Sequence, residues 1–253
     1  MKNLNKHIFN IFLIIRFFLA TKGKNYFWGC LSLAISRLLQ TVAFFLPIKV
    51  LIMLSSENMP SYLGPVEAFV SYDEFLIFLI IMVPLVYFAH LGFGILFRSL
   101  IDKDILYFEK NKHGIKGYGE VDYNKLKRLH NHTSKAFSDV LVFFVTSTIL
   151  IVINPLLTLS IWLVTALNLA FFVERAFYIH DDERITFLKL HKRQFIEYVA
   201  SSNYLIVFIV LVAQMYLSSD GVYGAILALL LARQLFQAVQ RFSIENIYLS
   251  KFI

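Results

Sequence analysis

Arg233, Gln237, Gln240 and Arg241 interrupt an otherwise apolar stretch that begins at Val222. Arg233, Gln237 and Arg241 recur at i, i+4 and i+8, with Gln240 beside them. On a helix they form a polar stripe, and Leu235, Phe236, Ala238, Val239 and Phe242 cover the rest. If that helix crosses a membrane, the roughly 11 apolar residues before Arg233 put it about 16 Å deep, near the midplane. A cation at that depth is expensive. Two readings fit. Either the helix lines a water-filled path and offers cations and amides to an anionic or polar cargo, or the span is short and tilted and Arg233 snorkels to the nearer surface.

Other polar residues in apolar surroundings extend the candidate set. Arg37 stands near the start of one apolar run and reads as a boundary anchor or a cavity residue. Lys49 stands towards the far end of that run, to pair with Glu57, reach outward or face a cavity. His90 lies about two turns inside the next run, where a helix–helix hydrogen bond competes with a ligand or proton-relay role. Asn168, Asn203 and Gln214 read as interhelical hydrogen-bonding groups. No catalytic motif is present. His130-Asn131-His132, with His113 nearby, has no fixed metal-ligand spacing, so no metal is expected. His180-Asp181-Asp182-Glu183-Arg184 superficially resembles the acidic diphosphate-binding motifs of membrane prenyltransferases, but no second matching cluster exists and a solvated loop is expected. There is no Gly-rich Walker loop, so this chain is not expected to bind ATP that way.

The elements that must hold these residues follow from composition. Of 253 residues 58% are hydrophobic and 16% charged, and the mean hydropathy is +0.66. Soluble domains are nearer 45–50% apolar and about 25% charged. The expected fold is all-α: a polytopic membrane protein of six transmembrane helices preceded by an interfacial amphipathic helix. The clearest stretch runs from Asp139 to Val173, uncharged after Asp139 until Glu174. At roughly 35 residues it fits two short crossings, since one needs about 20, and Asn154-Pro155 is a turn signal. Expected crossings are 35–54, 75–97 (which Pro84 should kink), 139–153, 156–173, 200–217 and 222–243, all in one domain, 1–253. Residues 1–27 hold a short apolar run broken by Arg16 and no small-x-small cleavage site. They read as an interfacial helix anchored by Tyr26, Phe27 and Trp28 rather than a secretory signal. The single cysteine, Cys30, excludes an internal disulfide.

Charge orients the crossings. The N-terminus, 98–135, 174–199 and the C-terminus carry nearly all the Lys and Arg, whereas the acidic segment 55–74 and the two tight turns carry none. Positive short loops stay cytoplasmic, so both termini are expected inside, in a bacterial inner (plasma) membrane. The net charge of +7 is thereby a topology signal, and no nucleic-acid partner is expected.

Several segments carry a family resemblance. Phe45-Leu46-Pro47 is followed by Lys49-Val50-Leu51-Ile52; Asn154-Pro155-Leu156-Leu157-Thr158-Leu159 and Asp220-Gly221-Val222-Tyr223-Gly224-Ala225-Ile226-Leu227-Ala228 come later. With the order of spans and loops, this resembles the six-helix transmembrane domain of ABC exporters. The resemblance implies a homo- or heterodimer of such domains with a cargo path between them, and coupling segments near 114–122 and 181–189 that contact a separate ATP-binding subunit. ATP would then lie on that partner and no cofactor on this chain. The function it implies is a permease subunit moving a polar or anionic amphiphile through a path including Arg233, Gln237, Gln240, Arg241, Arg37, Lys49 and His90. Two departures stand out: the second inner loop is short for the family, and no ATPase follows Ile253. They favour an alternative, a structural, assembly or regulatory membrane subunit of degenerate exporter-like fold.

Overall fold

The computed structural model describes residues 2–56, 70–110, 123–177, 190–217 and 222–252. These form six helices: α1 (Lys2–Ser56), α2 (Tyr72–Lys110), α3 (Tyr123–Ile153), α4 (Pro155–Phe172, continued by a π-helical segment Val173–Phe177), α5 (Lys192–Leu217) and α6 (Val222–Leu249). No β-strand occurs among the described residues. Five helical stretches are long and apolar enough to cross a membrane: Gly23–Ser55, Tyr72–Lys110, Tyr123–Ile153, Pro155–Phe177 and Lys192–Leu217. The chain is an all-α integral membrane protein. The sixth expected crossing, 222–243, falls on α6, which is not among these five.

The helices outrun the apolar runs. Segments 98–135 and 174–199, expected as polar loops, are helical over much of their described length, because α2 continues to Lys110 and α3 already begins at Tyr123. Their polar sequence still carries helical spacing: Ile101, Ile105 and Phe108, then Leu126, Leu129 and Thr133, each bury one face. Hydropathy marks where a helix meets lipid, not where it ends. At 1.5 Å per residue, the 31 residues of α3 span about 46 Å against roughly 30 Å of hydrocarbon. Likewise the expected boundary between the interfacial helix and the first crossing is not a break, since α1 runs through it unbroken. Pro47 and Pro84 both lie inside continuous helices.

The chain divides into two compact units, Met1–Leu31 with Leu100–Ile253, and Ser32–Ser99. In the first, which we call the bundle, α3 packs most extensively against α6, and α6 next against α5. Both α3 and α6 bury small and hydroxylated residues. Thr133, Ser134, Ala136, Ser138, Thr146 and Ser147 on α3 are buried, as are Ala228, Ala232, Ala238, Ser243 and Asn246 on α6. In lipid, apolar side chains gain nothing by leaving the solvent, so close backbone approach and polar glue hold helices together.

The Asn154-Pro155 turn forms as expected. Asn154 is extended (φ −150°, ψ 90°) and its side-chain oxygen accepts from the Leu157 amide at 2.9 Å, while Pro155 occupies the first turn, where its missing N–H costs nothing. The Trp162 indole donates to Ser147 Oγ at 3.1 Å. These residues lie about two turns on either side of Asn154, so α3 and α4 form an antiparallel hairpin. Asn154 also donates to Gln214 Oε1 of α5 at 2.9 Å.

The N-terminal part of α1 buries His7, Ile11, Ile14, Phe18, Tyr26 and Cys30 along one face. Its other side leaves Ile8, Phe9, Phe12 and Leu13 exposed, flanked by Lys6 and Arg16. In the second unit, Ser32–Ser99, the middles of α1 and α2 pair. Ser36 Oγ donates to the His90 carbonyl at 2.9 Å, and Tyr72 Oη donates to the Met53 carbonyl at 2.5 Å. Advance along one helix matches retreat along the other, so these are antiparallel too.

Candidate functional site

The polar stripe of α6 divides into two structures. Arg233, Gln237 and Gln240 line a cleft of about 310 Å³ with Phe236 and with Ala200, Ser201 and Tyr204 of α5. Arg233 is exposed and the two glutamines are half-buried. Arg241 belongs elsewhere: its Nε donates to Asp139 Oδ1 of α3 at 2.9 Å. Helical geometry explains the split. At about 100° per residue, Gln240 lies within about 20° of Arg233 around the axis, whereas Arg241 is turned about 80° away. The i, i+4, i+8 pattern drifts off the face that i, i+4, i+7 holds.

Sequence reasoning treated Asp139 only as the edge of an apolar run, yet its side chain is fully buried against the third-exposed Arg241. The signal was available: a carboxylate at the end of a long apolar run must find a cation or stay in water. What the cleft can do chemically follows from its donors. A guanidinium supplies five N–H donors and no acceptor, two amides supply both, and Ser201 and Tyr204 add hydroxyls. Such a set suits an anionic or polyhydroxylated group.

The remaining candidates are not among the residues that line this cleft. Arg37 and Lys49 are half-buried within Ser32–Ser99; the suggested partner of Lys49, Glu57, lies outside the described residues. His90 makes a two-way clamp with Ser36: its Nδ1 lies 2.8 Å from the Ser36 carbonyl, and the Ser36 hydroxyl meets the His90 carbonyl. Of the expected interhelical amides, Gln214 accepts from Asn154, Asn203 is buried, and the Asn168 Nδ2 meets no hydrogen-bond partner among the described residues.

His130 and His132 cannot act together, because residues two apart on a helix point about 200° apart. His130 is fully buried in a box of Phe18, Tyr26 and Phe108, its Nε2 3.7 Å from Asp104, which Asn25 also approaches at 3.4 Å. His132 faces α6, 2.6 Å from Glu245 and stacked on Tyr248. No metal-binding group of three occurs among the described residues. His113, the 180–184 cluster and the segments 114–122 and 181–189 lie outside the described residues.

A second, apolar groove of about 290 Å³ lies between the start of α1 and helices α3, α4 and α6. His7 is one of its few polar lining residues. Burial pushes its imidazole below the ordinary histidine value, with a hydrogen bond to Asn246 opposing the shift.

No protein-family model, curated protein or solved structure matches the chain.

Proposed function

We propose that this chain is the membrane-spanning permease subunit of an ABC-type exporter, driven by a separate ATP-binding chain, that moves a polar or anionic amphiphile by alternating access. In this reading α6 is the sixth crossing, both termini are cytoplasmic in a bacterial inner membrane, and two such domains pair. The observation that carries it is the Arg233–Gln237–Gln240 face opening on a cleft shared with Ser201 and Tyr204. Intramembrane cations are rare and usually face a cavity or pathway. The antiparallel α3–α4 hairpin and the helices prolonged on the cation-rich side are further support. Arg241, held by Asp139, is assigned to positioning α6 against α3 rather than to cargo.

Gentle purification from the native membrane tests this. The chain should bring with it a soluble ATP-binding protein, and substitutions within 114–122 and 181–189 should release that protein. Recovery with no ATP-binding partner would sink the transport reading. It would favour the assembly-subunit alternative, which the broad exposed apolar faces of residues 32–99 also support.

A further inference from the structure

The groove beneath the N-terminal helix has a character unlike the cargo cleft. Ile11, Phe143, Leu169, Val173, Val239 and Phe242 form its walls, and nearly all its surface is apolar. It runs along α4 from Thr165 to Val173, about 12 Å. Its volume lies at the lower edge of ordinary ligand pockets, which suits one flexible chain better than a ring system. Two observations identify the occupant. First, the groove is open on one side through Ile8 and Phe144, both about half exposed, and it lies at the level of Asp139, where the apolar run of α3 begins. An unfilled groove there would forfeit its van der Waals contacts, which a lipid tail restores. Second, exposed cations flank the lining residues in sequence: Lys6 precedes His7 and Ile8, and Arg175 lies between Val173 and Phe177, next to the exposed Glu174.

From these we infer that the groove is a binding site for one acyl chain of an anionic phospholipid of the cytoplasmic leaflet, its headgroup held near Lys6 and Arg175. The π-helical segment Val173–Phe177 shapes the site. It brings Phe177 under His7, with ring centroids 5.1 Å apart, and such segments recur at functional sites.

The full-length protein would be reconstituted in phosphatidylcholine vesicles carrying a trace of phosphatidylglycerol with a photoactivatable group at the end of one acyl chain. A phosphatidylcholine probe with the same tail serves as the comparison. Peptides carrying Phe143 and Val239 should be labelled roughly tenfold more by the anionic probe than by the neutral one. The exposed stretch 75–97 should be labelled equally by both. Ala238→Trp, which fills the groove from within, and Ile8→Trp, which fills it from a half-exposed position without demanding interior space, should each remove the excess and leave 75–97 unchanged. Equal labelling of groove and 75–97 would overturn the inference, as would an excess that survives both tryptophans. Photo-crosslinking of the groove to a second copy of the chain would also overturn it.

Discussion

In α3, α4 and α5 of the bundle, 39%, 33% and 28% of the most apolar window is buried within the chain; in the two helices that cross residues 32–99 the figure is 11% each. Yet the helix with the highest hydropathy of the five is α2, which belongs to the less buried pair. Burial therefore does not follow hydrophobicity. In water it would. In lipid an exposed Phe88 or Ile95 costs nothing, and helices associate where small residues permit close approach and polar groups require partners. The bundle holds Asp139, Ser147, Trp162, Asn154 and Gln214, each with a partner on a neighbouring helix. In the 32–99 hairpin Ser36 and His90 form such a clamp, and Tyr72 meets the Met53 carbonyl.

The contrast can be broken or sharpened by substitution. The largest expected effect is at the Arg241–Asp139 pair. Arg241→Leu removes the cation from a fully buried carboxylate and should cost about 3–5 kcal/mol of stability in detergent. Adding Asp139→Leu should return most of that loss, and a double mutant as unstable as the single would show that the pair is not what holds α3 to α6. Next comes the hairpin: His90→Leu should cost about 0.6–1.7 kcal/mol, the range of membrane side-chain hydrogen bonds, measured by the same denaturation assay. A smaller effect should come from His7. Its folded value is lowered, so the unfolded chain binds the proton more readily, and stability should rise with pH. The melting temperature should fall as pH drops below about 6.5, and His7→Phe should flatten that slope above the lowered folded value. The smallest effect is expected at Phe88, 69% exposed: Phe88→Ala should change stability by less than about 0.5 kcal/mol in lipid. A loss like that of a buried core phenylalanine would mean that this face is covered by protein instead.

Much of this architecture was legible in the sequence, because hydropathy reports lipid directly and Asn154-Pro155 reports its own turn. The polar face of α6 was legible because its residues interrupt an otherwise apolar run. What was not legible depends on angle rather than depth. Arg241 shares the stripe by counting in fours, but each step of four drifts by about 40°, so two steps turn it about 80° from Arg233 and to Asp139. The helical extensions past 98 and before 139 were hidden because polar sequence reads as loop when hydropathy alone is followed, although Ile101, Ile105 and Phe108 kept the helical period. The Asp104–His130 pair was missed for the same reason. Both residues lie in segments taken as solvated, and the aromatic box around His130 is assembled from two distant stretches, the start of α1 and the end of α2.

The central claim is that Arg233, Gln237 and Gln240 face water inside a lipid-embedded bundle. Cysteine scanning measures this directly, since the native Cys30 is buried and its replacement by alanine gives a silent background. Single cysteines at 233, 237, 240 and 88 would be exposed in inside-out vesicles to a charged thiol reagent that cannot cross the bilayer. The account predicts rapid modification at 233, 237 and 240 and none at 88; if 237 and 240 are as unreactive as 88, the cleft holds no water and cannot be a polar path.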